Sequence, residues 1–164
     1  MIKKNLLSTI VLLFLLITVS CTNNNIKFKI EKGKVGNVTT KTTIQDLTTI
    51  FKKDSIVKNL SEGVQGNNYF QEDDEYFIFE KGGKLLLTIL PKEQLDSTST
   101  IKSIEIHDER FKTLSGISIN SSFSEINVSN TIHKIERTFS SATLFLDNLN
   151  TTITIDNEEL GLKE

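Results

Sequence analysis

Apolar and polar residues alternate along much of this chain. Ile26, Phe28 and Ile30 are interleaved with Lys27, Lys29 and Glu31, the pattern of a half-buried strand. Gly33 and Gly36 mark a turn, and Val35 and Val38 lead onward. The period then changes: Ile44, Leu47, Ile50 and Phe51 fall at helical spacing, which predicts a helix over 43–53. Thr42 with Gln45, or Thr43 with Asp46, supplies a capping box, and Lys52-Lys53 suits the C-terminal end of the helix dipole. Ile56, Val57 and Leu60 predict a short strand, and the glycines and asparagines of 61–68 a loop.

Two apolar runs, Tyr76–Glu80 and Leu85–Leu90, flank Gly82-Gly83 and predict a hairpin that ends at Pro91. With a two-residue turn, Phe79 lies opposite Leu86, Ile78 opposite Leu87, and Tyr76 opposite Ile89. Tyr76, Ile78, Leu85, Leu87 and Ile89 then share one face, and Phe77, Phe79, Leu86 and Leu90 the other. Both faces are apolar, more than a one-sided antiparallel sheet requires. Either the hairpin is covered on both sides, or one face is an exposed binding patch. The candidate binding face is therefore Tyr76, Ile78, Leu87 and Ile89, or else Phe77, Phe79, Leu86 and Leu90. Lys92–Thr100 reads as a loop and Ile101–His107 as a further strand, with Ile104 and Ile106 on one side.

The second half restarts the pattern. Ile117 and Ile119 predict a strand, Ser122 with Glu125 a capping box, and 122–129 a short helix. Strands follow near 131–137, 142–147 and 151–156, with Asp147–Asn150 as the last turn. At an offset of 79, Val38–Leu47 lines up with Ile117–Ile126 in strand, cap, apolar and acidic positions. The fold class this predicts is α+β: short helices packed on antiparallel β-sheet, with two repeats of a helix-plus-meander unit, 26–108 and 109–164, as the finer expectation.

The N-terminus has a different pattern. Met1–Asn5 is basic, Leu6–Val19 is apolar apart from Ser8, Thr9 and Thr18, and Ser20 precedes the one cysteine, Cys21. That order is a secretory signal over 1–20. A spanning helix needs about 20 apolar residues, which this stretch does not reach before Thr22–Asn25. Thr18-Val19-Ser20-Cys21 resembles the lipobox of bacterial lipoproteins. Thr18 stands where that family usually has Leu. The resemblance implies that the Cys21 thiol receives a diacylglycerol, that cleavage occurs just before it, and that the new amine is acylated, palmitate being such a chain. Each buried CH₂ contributes ~0.8 kcal/mol, and more than one chain is needed for stable attachment. Residues 21–25 then form a tether and 26–164 the folded part.

Charge and chemistry narrow the function further. Without Lys3 and Lys4 the mature chain has 17 basic and 21 acidic residues, a net charge of −4. A mildly acidic total argues against nucleic acid and against polybasic membrane binding. With Cys21 lipidated, no disulfide is available, so packing alone holds the fold. Glu72-Asp73-Asp74-Glu75 lacks the glycine and spacing of a calcium loop and reads as a solvated turn. His107 and His133 have no second His or Cys at metal spacing. Ser115 lies in no nucleophile elbow, and Gly33 and Gly36 do not complete a dinucleotide motif. No catalytic residue, metal or cofactor is implied.

On Gly116–Ile126 and Gly36–Leu47, the chain resembles the fold of the β-lactamase inhibitor protein and of small outer-membrane-assembly lipoproteins, where helices pack on an antiparallel sheet, sometimes in tandem. On the lipobox and the Lys/Asn/Ile-rich composition, it is similar to lipoproteins of the Bacteroidetes. Asp54-Ser55-Ile56 and Asp96-Ser97-Thr98 resemble the O-glycosylation triplet of that group. These resemblances imply a protein of the cell envelope, on the outer membrane and facing the periplasm rather than the cell surface. The leading expectation is a non-enzymatic interaction module that contacts the membrane through lipid on Cys21 and takes an envelope protein as partner. The alternatives are an inhibitor of a periplasmic hydrolase, and an envelope enzyme or small-ligand binder using acidic residues.

Overall fold

A computed structural model describes residues 24–60 and 73–156, so Cys21, the signal segment and the whole 61–68 loop lie outside the described residues. The fold is α+β, with short helices and three antiparallel sheets among the described residues. A one-turn helix, α1 (Asn24–Lys27), leads into the two-residue strands β1 (Ile30–Glu31), β2 (Lys34–Val35) and β3 (Val38–Thr39), which pair in that order. The expected strand over 26–31 is therefore cut short. The Lys29 N–H donates back to the Ile26 carbonyl at 3.3 Å, which turns the chain before Ile30 can pair. Gly36 makes the tight return possible. Its φ is +58°, and a Cβ there would overlap the Lys27 carbonyl oxygen, so glycine is required on both counts.

The next segment is a 3₁₀ turn, Ile44–Asp46, continuing into α2 (Leu47–Ile50). Of the two expected capping boxes, Thr43 with Asp46 forms: the Asp46 carboxylate accepts from the Thr43 N–H at 2.9 Å and from its hydroxyl at 2.6 Å. These bonds hold the Asp46 pKa below the usual carboxylate value. The helical stretch is shorter than 43–53. β-Branched Thr48, Thr49 and Ile50 are poor helix formers, and Phe51 leaves helical geometry at φ −101° and ψ 30°. Ile44 and Leu47 are buried beneath it.

Four strands follow as an antiparallel meander: β4 (Ser55–Asn59), β5 (Glu75–Phe79), β6 (Leu85–Pro91) and β7 (Ile101–Ile106). Register places Ile56, Ile78, Leu87 and Ile106 in one row and Tyr76, Ile89 and Ile104 in the next, all on one face. That face packs on Ile44, Leu47, Phe51, Val38, Ile30 and Phe111 to make the main core. The expected pairs Ile78–Leu87 and Tyr76–Ile89 are present, but Phe79 lies opposite Leu85, not Leu86. The turn explains the difference. Gly82 and Gly83 both have positive φ, and the Glu80 N–H donates to the Lys84 carbonyl, so three residues lie in the loop instead of two. A bulge at Leu86 takes up the odd residue, and Leu86 is fully buried in the main core.

The remaining chain forms α3 (Phe123–Ser129), β8 (Ile132–Arg137), β9 (Ser141–Leu146) and β10 (Thr151–Asp156), with sheet order β10-β9-β8. Ser122 caps α3, and Glu125 accepts from the Ser122 N–H at 2.7 Å. Ile126 of α3 packs with Leu144, Leu146, Ile155 and Ile117 in a second, smaller core. Ile117 reaches that core from an irregular segment, because the Thr113 hydroxyl takes the Ile117 N–H at 3.0 Å that a strand partner would need. The expected strand through Ile117 and Ile119 is absent, and the second meander has three strands where the first has four. What the two halves share is the capped helical turn followed by an antiparallel meander.

Candidate functional site

The two faces of the four-stranded sheet differ in what they offer a partner. Tyr76, Ile78, Leu87 and Ile89, one of the two expected binding faces, are interior side chains of the main core. The other face carries Val57, Phe77, Thr88 and Glu105 in one cross-strand row, with Phe79 and Leu90 in the flanking rows. Phe77, Phe79 and Leu90 are half-buried there, and Val57 on edge strand β4 is 51% exposed. Leu86 does not belong to this face, because the bulge turns it into the core. Towards β7 the surface becomes polar. Thr88 is buried, and its hydroxyl lies 2.9 Å from His107 Nε2, which is 3.9 Å from Glu105. The site is thus a strip running from an apolar edge, Val57–Phe77–Phe79, to a hydrogen-bonded His–Thr pair.

A charged clamp holds one end of this sheet. Asp108 has no exposed side-chain surface, and its carboxylate accepts from Arg110 Nε at 2.9 Å, Arg110 Nη2 at 2.8 Å and the Arg110 N–H at 2.9 Å. Lys84, just before β6, approaches the same carboxylate at 3.0 Å. Arg110 also grips Glu80 through both terminal nitrogens, at 3.1 and 2.8 Å. Its guanidinium stacks 4.4 Å above the Phe28 ring, which packs edge-on against Phe111 at 5.1 Å. Bidentate pairing and stacking on an aromatic face are what guanidinium geometry favours. The Arg110 bonds hold the Asp108 carboxyl well below its usual range and push Arg110 up. The clamp joins the N-terminal segment, the β5–β6 hairpin and the end of β7. The signal in the sequence is His107-Asp108-Glu109-Arg110, where an aspartate and an arginine stand two places apart.

The other polar residues singled out are not brought together. Asp73 pairs with Lys102 at 2.9 Å, and Glu75 accepts from Asn59 at 3.1 Å. Asp74 is fully buried instead of solvated. Its carboxylate accepts the Leu95 N–H at 2.6 Å and so fixes the 92–100 loop, where Leu95 has φ 55°. His133 Nδ1 lies 3.3 Å from Asp147 on an exposed surface, far in sequence from His107. Ser115 exchanges its hydroxyl bond with Thr113 at 2.9 Å. Among the described residues, no three His, Cys, Asp or Glu side chains gather as a metal site, and no helix is long and apolar enough to cross a membrane. No family model matches the sequence, and no curated protein or solved structure matches it.

Proposed function

We propose that this chain is a lipid-anchored protein of the bacterial cell envelope, working as a non-enzymatic interaction module. One observation carries the reading: Thr18-Val19-Ser20-Cys21 closes an apolar stretch too short to span a bilayer, behind a basic N-terminus. The lipobox implies acyl chains on Cys21, held in the outer membrane with the fold towards the periplasm. Within the fold, the strip Val57–Phe77–Phe79–Leu90 supports the interaction part of the reading. It is an aromatic and aliphatic surface on an edge strand and its neighbours, where a partner can cover exposed apolar area.

In intact cells, chemical cross-linking of the wild-type chain should yield a discrete adduct with an envelope protein. Val57→Glu should keep the wild-type urea midpoint, because Val57 is half exposed on an edge strand. It should lower the adduct yield by about tenfold, the effect of ~1.4 kcal/mol at one contact. An adduct of undiminished yield from the folded variant would remove the strip from the proposal.

A further inference from the structure

We propose that the hairpin end of the four-stranded sheet is a second membrane contact, resting on the anionic phospholipid headgroups of the bilayer that holds the Cys21 lipid. This rests on the lipoprotein reading above and adds the orientation of the fold on the membrane. The net charge of the mature chain conceals its distribution. Residues 26–53 carry seven lysines against Glu31 and Asp46, a net charge of +5, whereas residues 54–164 carry a net charge of −9. The basic part is the part nearest the anchor.

Register gathers Lys52 and Lys53, two of those seven, with Lys81 and Lys112 at the hairpin end. Ser55 pairs with Phe79, so Lys52 and Lys53, just before β4, lie at the hairpin end, with Lys81 in the turn itself. The Ile30 N–H donates to the Lys112 carbonyl at 2.8 Å, and the Lys112 N–H to the Phe28 carbonyl at 2.8 Å, which brings Lys112 beside the N-terminal segment. The acids at this end are largely occupied. Asp54 pairs with Lys27 at 2.9 Å, Glu80 with Arg110, and Asp108 with Arg110 and Lys84, while Glu109 accepts from Asn120. Lys52, Lys53, Lys81 and Lys112 are exposed and have no ion-pair partner among the described residues. Lys27, Lys52 and Lys53, with Asn37, also rim a cavity of about 220 Å³ floored by Val35, Ile50, Phe51 and Leu87.

Chain length limits how far this end can sit from the bilayer. Two residues, Thr22 and Asn23, lie between Cys21 and Asn24, the start of α1, so three Cα–Cα steps give a reach of at most about 11 Å. Lys27 ends that one-turn helix and bonds Asp54 beside Lys53. A tether this short lets the free lysines settle within the distance over which a charged surface is felt, about 10 Å at 0.1 M salt. Acyl chains already retain the protein, so the lysines decide which way it faces. They set the hairpin on the headgroups and direct the opposite end of the sheet, with the 92–100 loop, away from the bilayer.

The test uses the mature protein as it accumulates in cells, reconstituted into vesicles of phosphatidylcholine alone or mixed with phosphatidylglycerol. Amine acetylation is read at each lysine by mass spectrometry. Lys52 and Lys53 should react several-fold more slowly on the anionic vesicles than on the neutral ones. Lys92, beyond the far end of β6 and about 20 Å from the hairpin, should react equally on both. The protection should disappear at 1 M salt, where screening acts within about 3 Å. Equal reactivity of Lys52 and Lys53 on both vesicles overturns the proposal. So does equal protection by inorganic phosphate of the detergent-solubilised protein, which would mark a small-anion site instead of a membrane contact. The mass of the N-terminal peptide from the same digest reads the anchor separately. A lipid-free Cys21 there overturns the lipoprotein reading, and this proposal with it.

Discussion

Glutamate in place of Leu87 is expected to unfold the protein at neutral pH, and glutamate in place of Leu86 to do the same. Leu87 sits at the centre of the interior row, between Ile78 and Ile106, and both leucines are almost wholly inaccessible. A carboxylate buried there finds no partner, and its desolvation costs several kcal/mol. A domain of this size has a total stability of about 5–15 kcal/mol, so the folded fraction should collapse or the urea midpoint fall sharply. The Leu86 variant is the more informative. In a regular hairpin with a two-residue turn, Leu86 would share the outer face with Phe77 and Phe79, where glutamate is tolerated more readily. A Leu86→Glu protein with the wild-type midpoint would contradict the bulge and the three-residue turn that causes it.

The second large effect concerns the clamp. Asp108→Asn keeps the shape of the side chain but removes the charge that holds Arg110 and Lys84. Removing one member of a buried ion pair costs about 3–5 kcal/mol; the partners here are partly solvated, so about 2–3 kcal/mol is expected at pH 7. The sign of the pH dependence follows from linkage. Folding lowers the Asp108 pKa, so below the unfolded value of about 3.9 the unfolded chain binds the proton more readily than the folded one. The contribution of this group is therefore complete above about pH 5. It is lost as pH falls through 4 and towards the depressed folded value. Urea midpoints of the wild type and Asp108→Asn should differ most above pH 5 and converge below pH 4. Parallel curves from pH 7 to pH 3 would show that the Asp108 charge contributes no pH-dependent stability.

Local signals in the sequence were legible where one residue determines one interaction. The Ser122–Glu125 box fixes the start of α3 because a hydroxyl and a carboxylate three places apart satisfy each other's free amides. The β5–β6 hairpin and the strands β7 to β10 follow from alternation and from turn residues. Two failures have a common cause. Ile26–Glu31 and Ile117–Ile119 alternate as strands do, yet local N–H bonds to the Ile26 carbonyl and to the Thr113 hydroxyl divert the chain. Alternation reports which side chains seek burial, and both Ile30 and Ile117 are buried, but it does not supply a pairing partner. At the candidate site, the two apolar faces of the hairpin were readable. Which one is interior was not, because that depends on α2 and Phe111 packing from distant parts of the chain. The Asp108–Arg110–Glu80 clamp was hidden for the same reason: Glu80 lies 30 residues from Arg110, and only the sheet register brings them together.

Attachment of this protein to the envelope depends on Cys21. Mass spectrometry of the N-terminal peptide of the mature protein, purified from cells with detergent, tests it most directly. The expected peptide begins at Cys21, lacks residues 1–20, and carries the added mass of a diacylglyceryl group with or without a third acyl chain. Cys21→Ser should abolish that mass and leave the precursor uncleaved, or release a soluble product cut elsewhere. A wild-type N-terminus that retains Met1, or that carries Cys21 as a free thiol, would contradict the account.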